Sequence, residues 1–383
     1  MKKANMGNKY FIIAGEHSGD LHASNLIEKI KERDPSAAFI GAGGALMKNA
    51  GVKLLFDLTS VSVVGFFEVC KHYFLFRKVF SMLLKAVKDE KPDLIILIDY
   101  PGFNMMFARS AKRLSAKILY YISPQVWAWK KDRVQKMAKI ADKLIVIFPF
   151  EKKYYAQTGL DVEFVGHPLV DIMQTSCKKE EFFKNIGLNE EKKLIGILPG
   201  SRENEVRKLL PEIMKAIPLL KKSCGIEQFV IGCASSNLEP IIKNEINKHD
   251  IKVVVVRDMA FDVMKHSDFA IVSSGTATLQ TGFFSTPMVI IYKVSWITYF
   301  LGKHLIKIPC IGLANVVLGE KVVPELLQND VNGLNIARET EKIIKDVALF
   351  NDITGKLAKI EGLLGNPGAS KRAADIAIKM AAG

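Results

Sequence analysis

Cysteine is scarce in this chain of 383 residues: Cys70, Cys177, Cys224, Cys233 and Cys310 are scattered, and none sits at a C-x-x-C spacing. That argues against a disulfide framework and against structural zinc, and it fits a reducing compartment. Long apolar runs are also missing. No window reaches the ~18 uninterrupted apolar residues of a membrane span, and the nearest, Met288 to Leu301, is broken by Lys293 and preceded by Pro287. The run Tyr10 to Ala14 behind the basic Met1-Lys2-Lys3 is too short for a signal-peptide core and reads as a first β-strand. A soluble or peripheral protein is expected. There is no Asp-x-Asp pair, so a metal-bridged diphosphate of that kind is not indicated, and no metal or cofactor is expected. A Walker A loop and a G-x-S-x-G elbow are absent. The cluster Gly41 to Leu46 places Leu46 where the dinucleotide fingerprint needs a third glycine. Acid is in deficit, with 54 Lys and Arg against 40 Asp and Glu and a formal net charge of +14. Such a balance attracts anionic lipid, phosphorylated substrates or nucleic acid. No zinc-finger, K-homology or RNA-recognition signature accompanies it, which makes nucleic acid the weaker partner.

What is present is an alternation of strand-like and helix-like segments. Apolar runs occur at Tyr10–Ala14, Leu94–Ile98, Lys117–Tyr121, Lys143–Phe148, Leu194–Leu198, Gln228–Ile231, Val253–Val256, Phe269–Val272 and Met288–Tyr292. Several are continuous rather than alternating, as in parallel strands covered on both faces. Helical stretches such as Asn25–Arg33 and Glu205–Leu220 complete βαβ units and predict doubly wound α/β domains. The series pauses near Pro168 to Glu180 and restarts at Leu194. The predicted division is therefore 1–172, 173–355 and a helical tail over 356–383 whose docking is open.

Ligands of doubly wound sheets bind beyond the carboxyl ends of strands, and the informative residues lie there. Gly15-Glu16-His17-Ser18-Gly19-Asp20 follows the first strand: small residues let backbone N–H groups approach an anion or a sugar, or simply make a capped turn. Asp99-Tyr100-Pro101-Gly102-Phe103-Asn104 follows Leu94–Ile98. Desolvation would bring the Asp99 carboxyl toward the range of a general base, the alternative being a helix cap. Ser123-Pro124-Gln125-Val126-Trp127-Ala128-Trp129 holds two tryptophans that could stack on a sugar, line an acyl cleft or pack between domains. In the second half, Arg202 stands at a helix start, where cations are disfavoured unless an anion lies between; pairing to Glu205 is the alternative. Ser273-Ser274-Gly275-Thr276 opens another helix with hydroxyls and a glycine, suited to a phosphate. Phe66, Tyr73, Phe76 and Phe80, interleaved with Lys71, Arg77, Lys78 and Lys85, compose an interfacial amphipathic segment or a core stripe.

Taken together, these motifs resemble the lipid A disaccharide synthase family. The resemblance rests on GEHSGD (15–20), VVGFFEV (63–69), DYPGFN (99–104), SPQVWAW (123–129), FPFE (148–151), VGHPL (165–169), LPGSRENE (198–205), SGTATLQ (274–280) and LANVVLGEKVVPELLQ (313–328). It implies a GT-B fold: two Rossmann-like doubly wound domains with an interdomain cleft. It implies inverting transfer from UDP-2,3-diacylglucosamine to 2,3-diacylglucosamine 1-phosphate. Asp99 would be the base. Arg202, Ser274, Gly275, Thr276, Gln280 and Asn315 would hold UDP. Gly15, Ser18, Gly19, Asp20, Asn104, Gln125 and Trp127 would line the acceptor and donor cleft. Val63, Phe66, Phe67, Tyr73 and Phe76 would meet membrane or acyl chains. The resemblance further implies a cytoplasmic protein held peripherally at the inner-membrane surface, with a homodimer left open. Two positions depart from the family pattern: Gln280, where Glu is usual, and Ala314, where Pro is common. The competing expectations are another membrane-associated GT-B UDP-sugar enzyme and, on charge alone, a basic nucleic-acid-binding protein.

Overall fold

The structure, a computed structural model, describes residues 7–61, 73–127, 132–294 and 310–383. Two compact units account for the chain, Met1–Asp171 with Leu364–Gly383 and Ile172–Leu363.

The first unit is a parallel sheet in the order β3-β2-β1-β4-β5-β6-β7. Its strands are β1 (Lys9–Ala14), β2 (Ala38–Gly43), β3 (Lys53–Asp57), β4 (Leu94–Ile98), β5 (Ile118–Tyr121), β6 (Lys143–Val146) and β7 (Asp161–Phe164). Helices α1 (His17–Lys31), α2 (Ala45–Asn49), α3 (Tyr73–Glu90), α4 (Pro101–Lys112), α5 (Asp132–Ile140) and α6 (Lys152–Tyr155) connect them. Every residue of β4 is buried, which is why its sequence, LIILI, does not alternate. Phe103 and Phe107 of α4 pack with Phe80 of α3 above the sheet, at 5.6 and 5.7 Å between ring centroids.

The second unit orders its strands β10-β9-β8-β11-β12-β13. They are β8 (Leu194–Leu198), β9 (Gln228–Cys233), β10 (Val254–Arg257), β11 (Phe269–Ser273), β12 (Met288–Tyr292) and β13 (Glu325–Leu327). Around them lie α7 (Lys179–Ile186), α8 (Glu203–Cys224), α9 (Glu239–Ile246), α10 (Ala260–His266), α11 (Thr276–Phe283), α12 (Leu313–Leu318), α13 (Gly333–Lys345), α14 (Val347–Leu357) and α15 (Lys359–Leu364). The chain then returns to the first unit as α16 (Ala369–Ala382), which packs on α1 through the fully buried Ala369, Ala373 and Ala377. Arg372 locks that return, its guanidinium donating to the carbonyls of Val165, Asn366 and Pro367 at 2.8, 2.6 and 2.8 Å.

Each sheet runs outward in both directions from a pair of adjacent central strands, β1 and β4 in one unit and β8 and β11 in the other. The strand order reverses between them, and the crevice at their carboxyl ends is where such sheets place ligands. Gly41 shows why the cluster after Ala38 is not a phosphate loop. It lies inside β2, and a Cβ there would stand 1.8 Å from the Ile12 carbonyl of β1. No described helix is long and apolar enough to cross a membrane.

Candidate functional site

At the first switch point β4 ends in Ile98, and Asp99 and Tyr100 both adopt left-handed backbone angles, φ 44° and 47°. Two consecutive non-glycine residues in that region store strain that the surroundings must hold. They do so at Asp99. Its N–H donates to the Tyr121 carbonyl at 3.0 Å. Its carbonyl accepts from the Tyr120 hydroxyl at 2.7 Å and from Asn104 Nδ2 at 2.9 Å. Gly15, at the end of the neighbouring β1, leaves space for the Tyr100 ring, which a Cβ at that position would meet at 2.2 Å.

The Asp99 carboxylate keeps some solvent contact, and among the described residues no side chain pairs with it. Burial pushes its pKa up to about 6, the negative charge of Glu16 adds to the rise, and the Tyr100 N–H opposes it. Behind it Glu151 is 1% exposed. Burial carries the Glu151 carboxyl to about 8, with Asp99 adding to the rise and the Phe148 N–H opposing it. Trp127 Nε1 is within electrostatic reach of that carboxyl but closes no hydrogen bond of ordinary geometry. Burial raises Glu151 further than Asp99, so of the two carboxyls Asp99 is the one that ionises first as pH rises. Sequence reasoning did not single out Glu16 or Glu151, although both fall inside quoted motifs. Burial, which assigns them weight, is not written in the motif.

Several predicted ligand-facing residues are committed within the fold. Asp20 is 2% exposed, and its carboxylate accepts the N–H groups of Gly44, Leu46 and Met47 at 2.8, 3.0 and 3.1 Å, capping α2. The same is true of Asn104, fully buried, whose Nδ2 holds the carbonyls of Ile98 and Asp99. Asp20 spends both carboxylate oxygens on its loop, whereas Asn104 holds its loop through Nδ2 alone and keeps a buried Oδ1 without a hydrogen-bond partner among the described residues. Replacing Asp20 with alanine leaves three helix-end donors without their acceptor. At about 1–3 kcal/mol for a lost buried partner, Tm should fall by about 2–12 °C, and an unchanged melting curve would refute the capping role.

Gly19 is buried, while Ser18 and Gln125 are exposed. Trp127 packs edge-on to Phe150 at 5.9 Å, within its own unit. Trp129 lies outside the described residues, as do Val63, Phe66 and Phe67. Tyr73 opens α3, and Phe76 is half-buried, its ring 6.4 Å from that of Phe103 at the edge of the core. On the same helix Phe74 is 81% exposed.

At the second switch point β8 leads into Gly200, φ 122°, where a Cβ would stand 2.6 Å from Glu205 Oε2. Arg202 precedes α8 and donates to Glu205 Oε1 at 3.0 Å, with its side chain 62% exposed. The carboxylate alternative is thus the contact that forms, and the guanidinium still faces solvent. Burial and Glu205 hold the hydroxyl of Tyr292, at the end of β12, above its ordinary range, while Arg202 opposes them. Adjacent in the sheet, β11 ends in Ser273, whose buried Oγ has no hydrogen-bond partner. Ser274, Gly275 (φ 149°) and Thr276 follow, and no side chain caps α11. The two helix starts differ. The first turn of α8 already contains Glu203 and Glu205, and that of α11 contains no acid. An anion is therefore better received at α11. Gln280 is half-buried on that helix.

Asn315 is committed within the fold through its side chain. It is fully buried, its Nδ2 donates to Val323 O and Glu325 Oε1, and its Oδ1 accepts from Val322 and Val323. Every hydrogen-bonding site of the amide is used in shaping the turn before β13, so its side chain has none left for a nucleotide.

A family model described as lipid-A-disaccharide synthetase matches residues 10–358. A lipid-A-disaccharide synthase of Geobacter metallireducens is 41% identical, covering 97% of this chain and 97% of that one. One of Syntrophus aciditrophicus is 42% identical, covering 96% and 97%. Among solved structures, a UDP-GlcNAc 2-epimerase of Neisseria meningitidis superposes with a TM-score of 0.64 at 13% identity, covering 97% of this chain and 100% of that one. Acinetobacter baumannii MurG gives 0.61 at 12% identity, covering 97% and 99%. The architecture is that of GT-B glycosyltransferases, two parallel-sheet α/β units.

Proposed function

The chain belongs to the lipid-A-disaccharide synthetase family, and from that membership we propose how its residues divide the transfer of an acylated glucosamine from UDP onto an acylated glucosamine 1-phosphate. It is a hexosyltransferase of lipid A synthesis that uses a UDP-sugar. In the reading advanced here, the first unit takes the acceptor. Asp99 accepts the proton of the acceptor 6-hydroxyl as that oxygen attacks the anomeric carbon. The bond to the UDP oxygen breaks on the opposite face, and UDP leaves with the electron pair. One carboxylate suffices for such an inversion. The second unit holds the leaving diphosphate. The uncapped start of α11 at Ser274, Gly275 and Thr276 offers N–H donors, Arg202 offers a cation, and Gln280 can hydrogen-bond a ribose hydroxyl. Arg202 is needed because a helix terminus contributes only about 0.3–2 kcal/mol toward an anion.

The observation that carries this reading is Asp99: a strained residue at a strand end, held by its own backbone, with an unpaired carboxylate whose pKa is about 6. A base should titrate near working pH. Because both substrates are acylated, the protein is placed at the cytoplasmic surface of the inner membrane, with the segment 63–76 against lipid. The deciding assay incubates the protein with the two acylated monosaccharides and follows products by mass spectrometry. A disaccharide 1-phosphate and free UDP are expected. Intact substrates, or an epimerised UDP-sugar, would overturn the proposal.

A further inference from the structure

Helices α4 and α5 of the first unit border a groove that has no part in the chemistry above. Its volume is about 640 Å³, and it is lined by Met105, Met106 and Ile140 together with Arg109, Arg113 and Lys139. Lys112 and Lys136 also border it; Lys112 is paired with Asp142 and Lys136 has an interaction of its own. Among the described residues, Arg109, Arg113 and Lys139 have no carboxylate partner. Helix α4 contains no acidic residue, and α5 contains one, at its first position.

On the second unit, several helix-surface cations are matched one turn away: Arg207 with Glu203, Lys243 with Glu239, Lys345 with Glu341, and Lys356 with Asp352. At the groove, Arg109, Arg113 and Lys139 lack that compensation, and this side of the unit adds apolar exposure. Met106 is 59% exposed, Leu114 just past α4 is 44% exposed, and Phe74 and Met82 on the neighbouring α3 are 81% and 37% exposed. Met106 lines the groove itself beside Met105 and Ile140, an apolar lining that a nucleic-acid backbone does not require and a bilayer surface does.

We propose that this groove seats the headgroup phosphate of an anionic phospholipid in a bilayer, between Arg109, Arg113 and Lys139, with Met105 and Met106 against the first acyl carbons. The proposal rests on the reading that the protein works at a lipid surface, and it names a docking site apart from the 63–76 segment.

The test is co-sedimentation of the full chain with vesicles of phosphatidylcholine alone and of phosphatidylcholine mixed with phosphatidylglycerol. It compares the protein with the triple variant Arg109→Gln, Arg113→Gln, Lys139→Gln. At about a fivefold change per surface cation, the variant should lose on the order of a hundredfold in affinity for the anionic vesicles. Its binding to neutral vesicles, its melting curve and its UDP affinity should stay as they were. Equal binding of both proteins to anionic vesicles overturns the groove assignment and leaves the lipid-surface reading intact. No binding of the unaltered protein to either vesicle overturns both. If the variant loses binding to duplex DNA instead, with vesicle binding unchanged, the groove reads a nucleic-acid backbone and the proposal falls.

Discussion

Asparagine at position 99 is expected to lower kcat by about 10²–10⁴-fold, the range of general base catalysis, with UDP affinity nearly unchanged. The substitution keeps the shape, and the hydrogen bonds that fix the loop use the Asp99 backbone rather than its carboxylate. Unaltered turnover would remove Asp99 from the base role. The pH profile adds a second readout. Because the carboxyl titrates at about 6, kcat/KM should rise with pH through that value and level off above it, and the variant should lack this limb. Stability moves the other way. Asp99 is raised from 3.8 to about 6, so the folded state holds this proton more tightly than the unfolded chain. The favourable contribution is complete below about 3.8 and is lost as pH rises through 6. The asparagine variant should therefore melt higher than the parent at pH 7 to 8. The gain should be no more than about 3 kcal/mol, reduced by the solvent that reaches the carboxylate. Glu151, raised from 4.5 to about 8, extends the same slope to higher pH.

Arg202→Ala should raise the dissociation constant for UDP by about 10–100-fold, the worth of a charged hydrogen bond to phosphate, as read by calorimetry. The structure makes this measurement clean. Arg202 is 62% exposed and its contact is a surface pair with Glu205, so its removal should change stability by no more than about 1 kcal/mol. Unchanged UDP affinity would mean that the guanidinium serves only Glu205, and the diphosphate would then rest on α11 alone.

The central strands were legible because burial on both faces leaves a continuous apolar run. LIILI at Leu94–Ile98, LIGIL at Leu194–Leu198 and MVIIY at Met288–Tyr292 became strands with those bounds. The strands β2, β3, β7 and β13 were not, although the edge strand β10 was. β3 and β7 are short and half-exposed, β13 has 3 residues, and β2 reads as a glycine cluster because Gly41 must admit the β1 backbone. Candidate site positions were legible as strand ends, but not the direction in which each side chain is used. Asp20 and Asp99 both follow central strands, yet one carboxylate faces three backbone donors and the other faces none from a side chain. Nothing in the residue types separates them. Nor does sequence reveal that Asp99 and Tyr100 share a left-handed turn, which depends on Tyr120 and Asn104 closing around it.

The return of α16 makes the first unit discontinuous along the polypeptide. A fragment ending at Asp171 would be born without the helix that covers α1, and the alanine-lined seam would face water. During synthesis the first unit must wait for residues 369–382 before its layer is closed. Anyone wishing to study the first unit in isolation should graft residues 364–383 onto 1–171 through a short linker.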